Sequence, residues 1–393
     1  MAYVAKNTAS VFVSEEVTEG TAPALVGTDA VSVLADGLEM NGEKELVERT
    51  NLTSSIGKAL PRVGMKSGTG TIAVEAKAAL TEGAAPEADL LFKGALGGKR
   101  SIATTTTTKA TGNTGTTLAL EDADIAKFNV GDVVIVKQSG ATHISPIISK
   151  VTTLGSASIT LLIAKESGNF ANSVVISKAT TYYTTNSGHP SLSATMFLED
   201  AIKMQLTGTR VTSLSLEGFE TGQLASFNFG LQGMDYSESL AASGVTATYD
   251  AALPPLVLSA CVYGSGVQIP VNSFAVSLEN TVGKVTSTCS PNGTISQRIT
   301  ERAITGSFNP YMDTTSVDWY TKFNANTEFS LFCRLWNPNT NAGEFKEAMG
   351  IYIPKCIVTA QPKADQDGVM QYNIEFSVGE PTDGTSALYI SFI

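Results

Sequence analysis

Short segments in which apolar and polar side chains alternate recur along most of the chain, and a period of two is the signature of strands with one covered face. Residues 71–76 (Thr-Ile-Ala-Val-Glu-Ala), 193–198, 201–206, 211–216 and 224–231 alternate in this way, as do 272–278, 303–308, 328–335, 350–357, 370–378 and 388–392. Glu199-Asp200 separates one pair of these segments and Glu220-Thr221-Gly222-Gln223 another, which predicts two hairpins. Weaker strand patterns fall at 46–49 and 294–298, and the stretch holding Pro61, Gly64, Gly68 and Gly70 reads as a connection. Residues 15–24 carry too much Gly, Pro and acid for one regular element, so the opening 41 residues predict either an extended arm or an irregular lead-in to the first strand.

Two segments carry helical spacing instead. Ala88, Leu91, Phe92 and Ala95 fall on one side of a short helix over 87–96. Val317, Tyr320 and Phe323 do the same over 313–323, with Asp313, Thr314 or Thr315 as the cap.

The texture changes at the threonine run 104–108. From there to about residue 185 come short alternating or apolar pieces at 116–120, 128–136, 158–163 and 172–177, separated by Gly, Asn and Asp. Four or five such strands suffice for a small barrel or sandwich. The expected organisation is therefore 1–100 and 186–393 as one parent β fold, with 101–185 as an inserted domain projecting outward, since guests are tolerated where both their ends meet on the host surface.

Composition agrees with an all-β chain. Charged residues make up 16%, so much of the polar surface must come from Thr, Ser, Asn and Gly; β-branched Thr suits a pleat, and the 35 glycines suit turns and bulges. The formal charge of −11 repels polyanions at long range, which argues against gripping DNA or RNA but suits a wall past which DNA must slide. Residues 7–15 contain no apolar core of a signal peptide and no run reaches the roughly 18 apolar residues of a membrane span, so a soluble, cytoplasmically made product without a membrane anchor is expected.

Little in the sequence carries chemistry. Cys261, Cys289, Cys333 and Cys356 lack metal or redox spacing and are expected to be reduced. His143 and His189 are the only histidines, and both read as loop or surface residues. The segment 64–70 (Gly-Met-Lys-Ser-Gly-Thr-Gly) fails as a phosphate loop because its lysine precedes the glycines it should follow, and 263–267 lacks the spacing of a nucleophile elbow. Asp365-Gln366-Asp367-Gly368 starts like a calcium loop, but Glu375 falls on a predicted strand, so a β-turn is expected, with weak cation binding at Asp365 and Asp367 as the other reading. Acidic neighbours such as Glu15 with Glu16 and Glu43 with Glu45 are not gathered around a cleft, and Asn51 and Asn292 head glycosylation patterns without functional content. No catalytic, metal or cofactor residue is assigned and no cofactor is expected. The aromatic residues Tyr311, Trp319, Tyr320, Phe323, Phe329, Phe332 and Trp336 are either core or the anchor of a subunit contact.

The layout resembles the major tail tube proteins of long-tailed siphophages. The resemblance is carried by residues 21–24 (Thr-Ala-Pro-Ala), the hairpin over 193–206, the strand-turn-strand over 211–230, and the ending 353–357, 364–369 and 372–376, so it covers most of 10–100 and 190–393. It implies a mainly β protein, a sandwich or barrel with one or two short helices and here an added small β domain, whose copies join side by side in hexameric rings. Stacked rings form a tube through which genomic DNA passes without stable binding, with residues 10–60 supplying an arm and a long loop for stacking. The implied partners are further copies, the tape-measure protein, the tail terminator and distal tail proteins; the implied place is the virion tail. On this reading 101–185 is external and removable without loss of tube assembly. Other structural readings are a head-tail joining or capsid decoration protein; a carbohydrate-binding adhesin or a β-scaffold enzyme belongs to a different class.

Overall fold

A computed structural model describes residues 5–51, 56–57, 59–137, 147–163, 169–258, 260–290, 292–312, 318–336, 348–380 and 386–393. Strands hold 55% of the described residues and helices 8%, so alternation, not helical spacing, decides the architecture. Among the described residues no sheet closes into a barrel.

One sheet runs, neighbour by neighbour, through Leu38–Arg49, Ala59–Glu75, Ser226–Gly233, residues 210–217 of Ile202–Glu217, Val271–Thr286, Thr294–Pro310, Ile374–Val378 and the end of Ala348–Ala360. A second runs through Gly97–Ile102, Ala179–Thr184, Tyr389–Phe392, the start of Ala348–Ala360, Phe329–Trp336, Cys261–Gly264 and Val267–Ile269. Ala348–Ala360 thus passes from one sheet to the other. Ile202–Glu217 also changes sheets, between the first and a third: its first half pairs with Leu192–Leu198 and Asp235–Leu240, beside Ser10–Glu15 and Ala30–Val31.

The two sheets face each other across the main core. Phe227, Phe229, Leu214, Leu278, Ile304 and Phe376 point in from the first, and Tyr182, Ile351, Leu331 and Phe392 from the second. The helix Asp89–Leu96 is wedged between them on the expected apolar side, with Leu91, Phe92 and Ala95 buried. The Phe92 ring lies 5.0 Å from Phe227, 5.1 Å from Phe229, 5.0 Å from Phe392 and 5.3 Å from Tyr182. Asp89 fixes the helix start by accepting from the Tyr182 hydroxyl at 2.6 Å and the Lys99 ammonium at 2.7 Å; burial and that carboxylate push the Tyr182 phenol pKa up, keeping it a donor. Phe92→Ala is expected to cost about 3–5 kcal/mol, because four rings surround the hole it leaves; denaturant unfolding measures it.

The second sheet alternates, and its other face carries Tyr263, Phe332, Tyr352, Tyr389 and Ile393 into a second core. That core is closed by a six-stranded sheet ordered Thr106–Thr107, Val175–Ile176, Val133–Lys137, Ile147–Leu154, Ser158–Leu161, Thr117–Ala119. The chain leaves the second sheet after Ile102 and returns at Ala179, its register partner. Gly97–Ile102 and Ala179–Thr184 pair with each other inside the second sheet, so both margins of the expected 101–185 segment include host strands. Arg100 reaches across to the fully buried Asp132, and the Lys150 ammonium lies 3.3 Å from the Tyr352 ring centre. The layers therefore run first sheet, main core, second sheet, second core, small sheet.

Several expectations change. Ser10–Glu15 is not an arm but a buried strand between Ala30–Val31 and Leu192–Leu198. The punctuated stretch after it is pinned by carboxylates: Glu16 is buried and accepts from Ser193 and Ser191 hydroxyls at 2.6 and 2.8 Å and from the Gly20 and Gly208 amides at 2.7 and 2.9 Å. Pro61, Gly64, Gly68 and Gly70 belong to the long strand Ala59–Glu75, where a Cβ at Gly68 would meet Leu206 Cδ2 at 2.3 Å and force that buried side chain to shift. The later helix is Trp319–Ala325, and its cap is Asp318, which accepts from the Thr321 amide at 3.0 Å. Asp318 is not among the expected caps; those, Asp313, Thr314 and Thr315, and Val317 lie outside the described residues. Tyr320 is exposed while Trp319 packs on Phe308 and Phe329, so Trp319, Phe329 and Phe332 of the aromatic group are core. Among the described residues, no helix is long and apolar enough to cross a membrane.

Candidate functional site

With one face of the first sheet buried, alternation sends every second residue to the open face, and the register aligns them in rungs. One rung reads Glu39, Thr71, Gly230, Ser213, Glu279, Ala303. The next reads Ala73, Asn228, Ser215, Ser277, Thr305, Ser377, Ile357. Glu75, Ser226 and Glu217 form a third on one side, and Ala275, Ser307 and Glu375 continue it on the other. The side chains are small and hydroxylated, the only charges in these rungs are glutamates, and no lysine, arginine or aromatic residue stands in them.

The face is concave along a trough of about 600 Å³ lined by Ser215, Glu217, Ser277, Thr305, Ser307 and Glu375. Glu217 is held over it by the Ser215 hydroxyl at 3.1 Å and the Asn228 amide at 3.5 Å. A fixed negative surface with hydrated hydroxyls offers phosphate no cation and bases no ring to stack on. In sequence Glu375 draws notice only as a calcium-loop candidate and the other glutamates not at all: the rungs join residues hundreds of positions apart, and only strand register brings them together.

The margins of this sheet are open. Leu38–Arg49 pairs only with Ala59–Glu75, and residues 357–360 pair only with Ile374–Val378, among the described residues. Such edges carry unpaired N–H and C=O groups that a neighbouring strand can complete.

The other candidate residues are not gathered into a site. His143 lies outside the described residues. His189 is less free than a loop residue: its ring nitrogens lie 2.9 Å from the Gly94 carbonyl and 3.2 Å from that of Thr185, and burial, reinforced by Arg302 and Arg210, lowers its pKa. Residues 64–70 are strand, and Ser265-Gly266 is a tight hairpin turn. Asp365 accepts from the Gly368 amide at 2.8 Å, closing a two-residue turn in which Asp367 and Gly368 take positive φ. The four cysteines are free; burial pushes the Cys333 and Cys356 thiols well up, away from reactive thiolate. Among the described residues no group of His, Cys, Asp and Glu is placed to hold a metal. Against known proteins, a family model described as phage tail tube protein matches residues 6–378. No individual curated protein matches the chain.

Proposed function

The chain belongs to the phage tail tube protein family, and from that premise we propose that its copies close into six-membered rings that stack into a hollow tube with the acidic sheet face toward the channel. Its role is that of a structural subunit of the phage tail, without catalysis. The observation that carries the channel assignment is the register: an open concave face on which the three central rungs carry charge only on glutamates, among the described residues, at the far side of the layer stack from the small sheet. DNA carries one charge per about 1.7 Å of axis, so a wall holding any lysine array would retain it, whereas this wall lets it slide.

Ring closure uses the two open margins of the first sheet, which meet between neighbours and leave no free edge. The opposed sheets support reading the protomer as a tail-tube-type sandwich. In this reading 1–100 and 186–393 form the tube body and 101–185 lies outside it, supported by the layer order. The tape-measure protein occupies the channel before DNA, and the terminator and distal tail proteins cap the tube; these partners rest on the family. Negative-stain electron microscopy of the purified protein tests the reading: rings six subunits around that extend into tubes are expected. Assembly that halts at one ring identifies a joining protein, and monomers alone contradict both.

A further inference from the structure

The two ends of the first sheet's strands differ in a way that specifies how one ring meets the next. At one end the pairs Leu38–Arg49 with Ala59–Glu75 and Val271–Thr286 with Thr294–Pro310 run out as hairpins, and Met65 of the first lies against Gly293 of the second. Leu46 and Val63, register partners, are each 53% exposed, and Leu60 is 84% exposed. Around these apolar side chains the sequence is basic: residues 43–66 and 284–298 hold seven Lys and Arg against three Glu.

At the other end of the same strands lies the turn after Glu217, covered by the segment 241–258. That segment is fixed in place. Val245 and Ala247 pack on Phe12 and Phe197, Leu256 bridges Leu224, and Val257 is buried and exchanges backbone hydrogen bonds with Gly222 and Gln223. Leu224, Leu256 and Leu258 are left 47%, 45% and 67% exposed on this rigid support. Here the charges are of the opposite sign: residues 217–225 and 241–258 carry Glu217, Glu220 and Asp250 and no Lys or Arg.

We propose that the surface formed by Leu224, Leu256 and Leu258 is the seat for the paired hairpins of a second copy of this chain. The two surfaces are apolar at their centres and complementary in charge, and they lie at opposite ends of the same strands. The contact is therefore heterologous, and a heterologous contact that does not close on itself propagates without limit. The proposal rests on the stacked-ring reading and adds which surface receives which.

Two double variants test it, L60N/V63N in the hairpin and L256K/L258K in the seat, both at exposed positions and with no charge in the altered hairpin that could pair with the altered seat. Each alone is expected to give single rings and no tubes by negative-stain microscopy. Rings of the two variants assembled separately and then mixed are expected to form pairs that stop at two, because each pair has one intact hairpin end facing one intact seat. Pairing also shows that both variants are folded. Tubes from L256K/L258K, loss of its rings, or mixtures without paired rings would overturn the assignment. Failure of the unaltered protein to form rings would instead overturn the ring reading itself.

Discussion

Removing residues 103–178 and joining Ile102 to Ala179 is expected to yield a chain that aggregates, even though the ends to be joined are register partners and the missing piece lies away from the channel face. The small sheet closes the second core, so the deletion bares Tyr263, Phe332, Tyr352, Tyr389 and Ile393, all now at most 6% exposed. Uncovering a large apolar side chain costs about 1.5–3 kcal/mol, and five of them together rival the whole stability of a typical domain, about 5–15 kcal/mol. Soluble yield and dye binding to exposed apolar surface measure the outcome. A soluble deletion chain that still builds tubes would contradict the shared core and restore the expectation of a removable decoration. A segment external to the tube can thus be dispensable for its role and still indispensable for its fold.

The second large effect is on the channel. Tubes carrying Glu217→Lys, Glu279→Lys and Glu375→Lys are expected to bind duplex DNA tightly at low salt, where unaltered tubes let it pass. In proteins making about 6–10 phosphate contacts, affinity falls by about 10³–10⁵ between 50 and 200 mM salt, so the retained DNA should be released over that range. Co-sedimentation of DNA with tubes reads this directly. The same positions changed to Gln remove negative charge without adding cations and should leave retention near zero. Lysine tubes that fail to hold DNA would remove these positions from the channel wall.

Much of the fold is legible along the chain because alternation survives wherever a strand has one wet face. Leu192–Leu198 is read to within one residue and Ser226–Gly233 to within two at each end, and the helix Asp89–Leu96 shows its apolar side at three- and four-residue spacing. Reading fails where a strand changes partners. Ile202–Glu217 looks like two strands because Gly208 takes φ +61 and a bulge follows Val211, which shifts the phase of alternation as the strand moves between sheets. Ser10–Glu15 is hidden by its neighbours: the acids that make the next stretch look like solvent-exposed arm include Glu16, whose burial is satisfied by serines far along the chain. The acidic face is illegible for a related reason. Its five glutamates sit singly on five different strands, and no local window holds more than one of them beside the serines and threonines that complete each rung.

Helical reconstruction of purified tubes by cryo-electron microscopy tests the central claim most directly, since it fixes which sheet face borders the channel. The expected map shows Glu75, Glu217, Glu279 and Glu375 lining the lumen, with the small sheet outermost. A map with those glutamates on the outer surface or buried between subunits would contradict it.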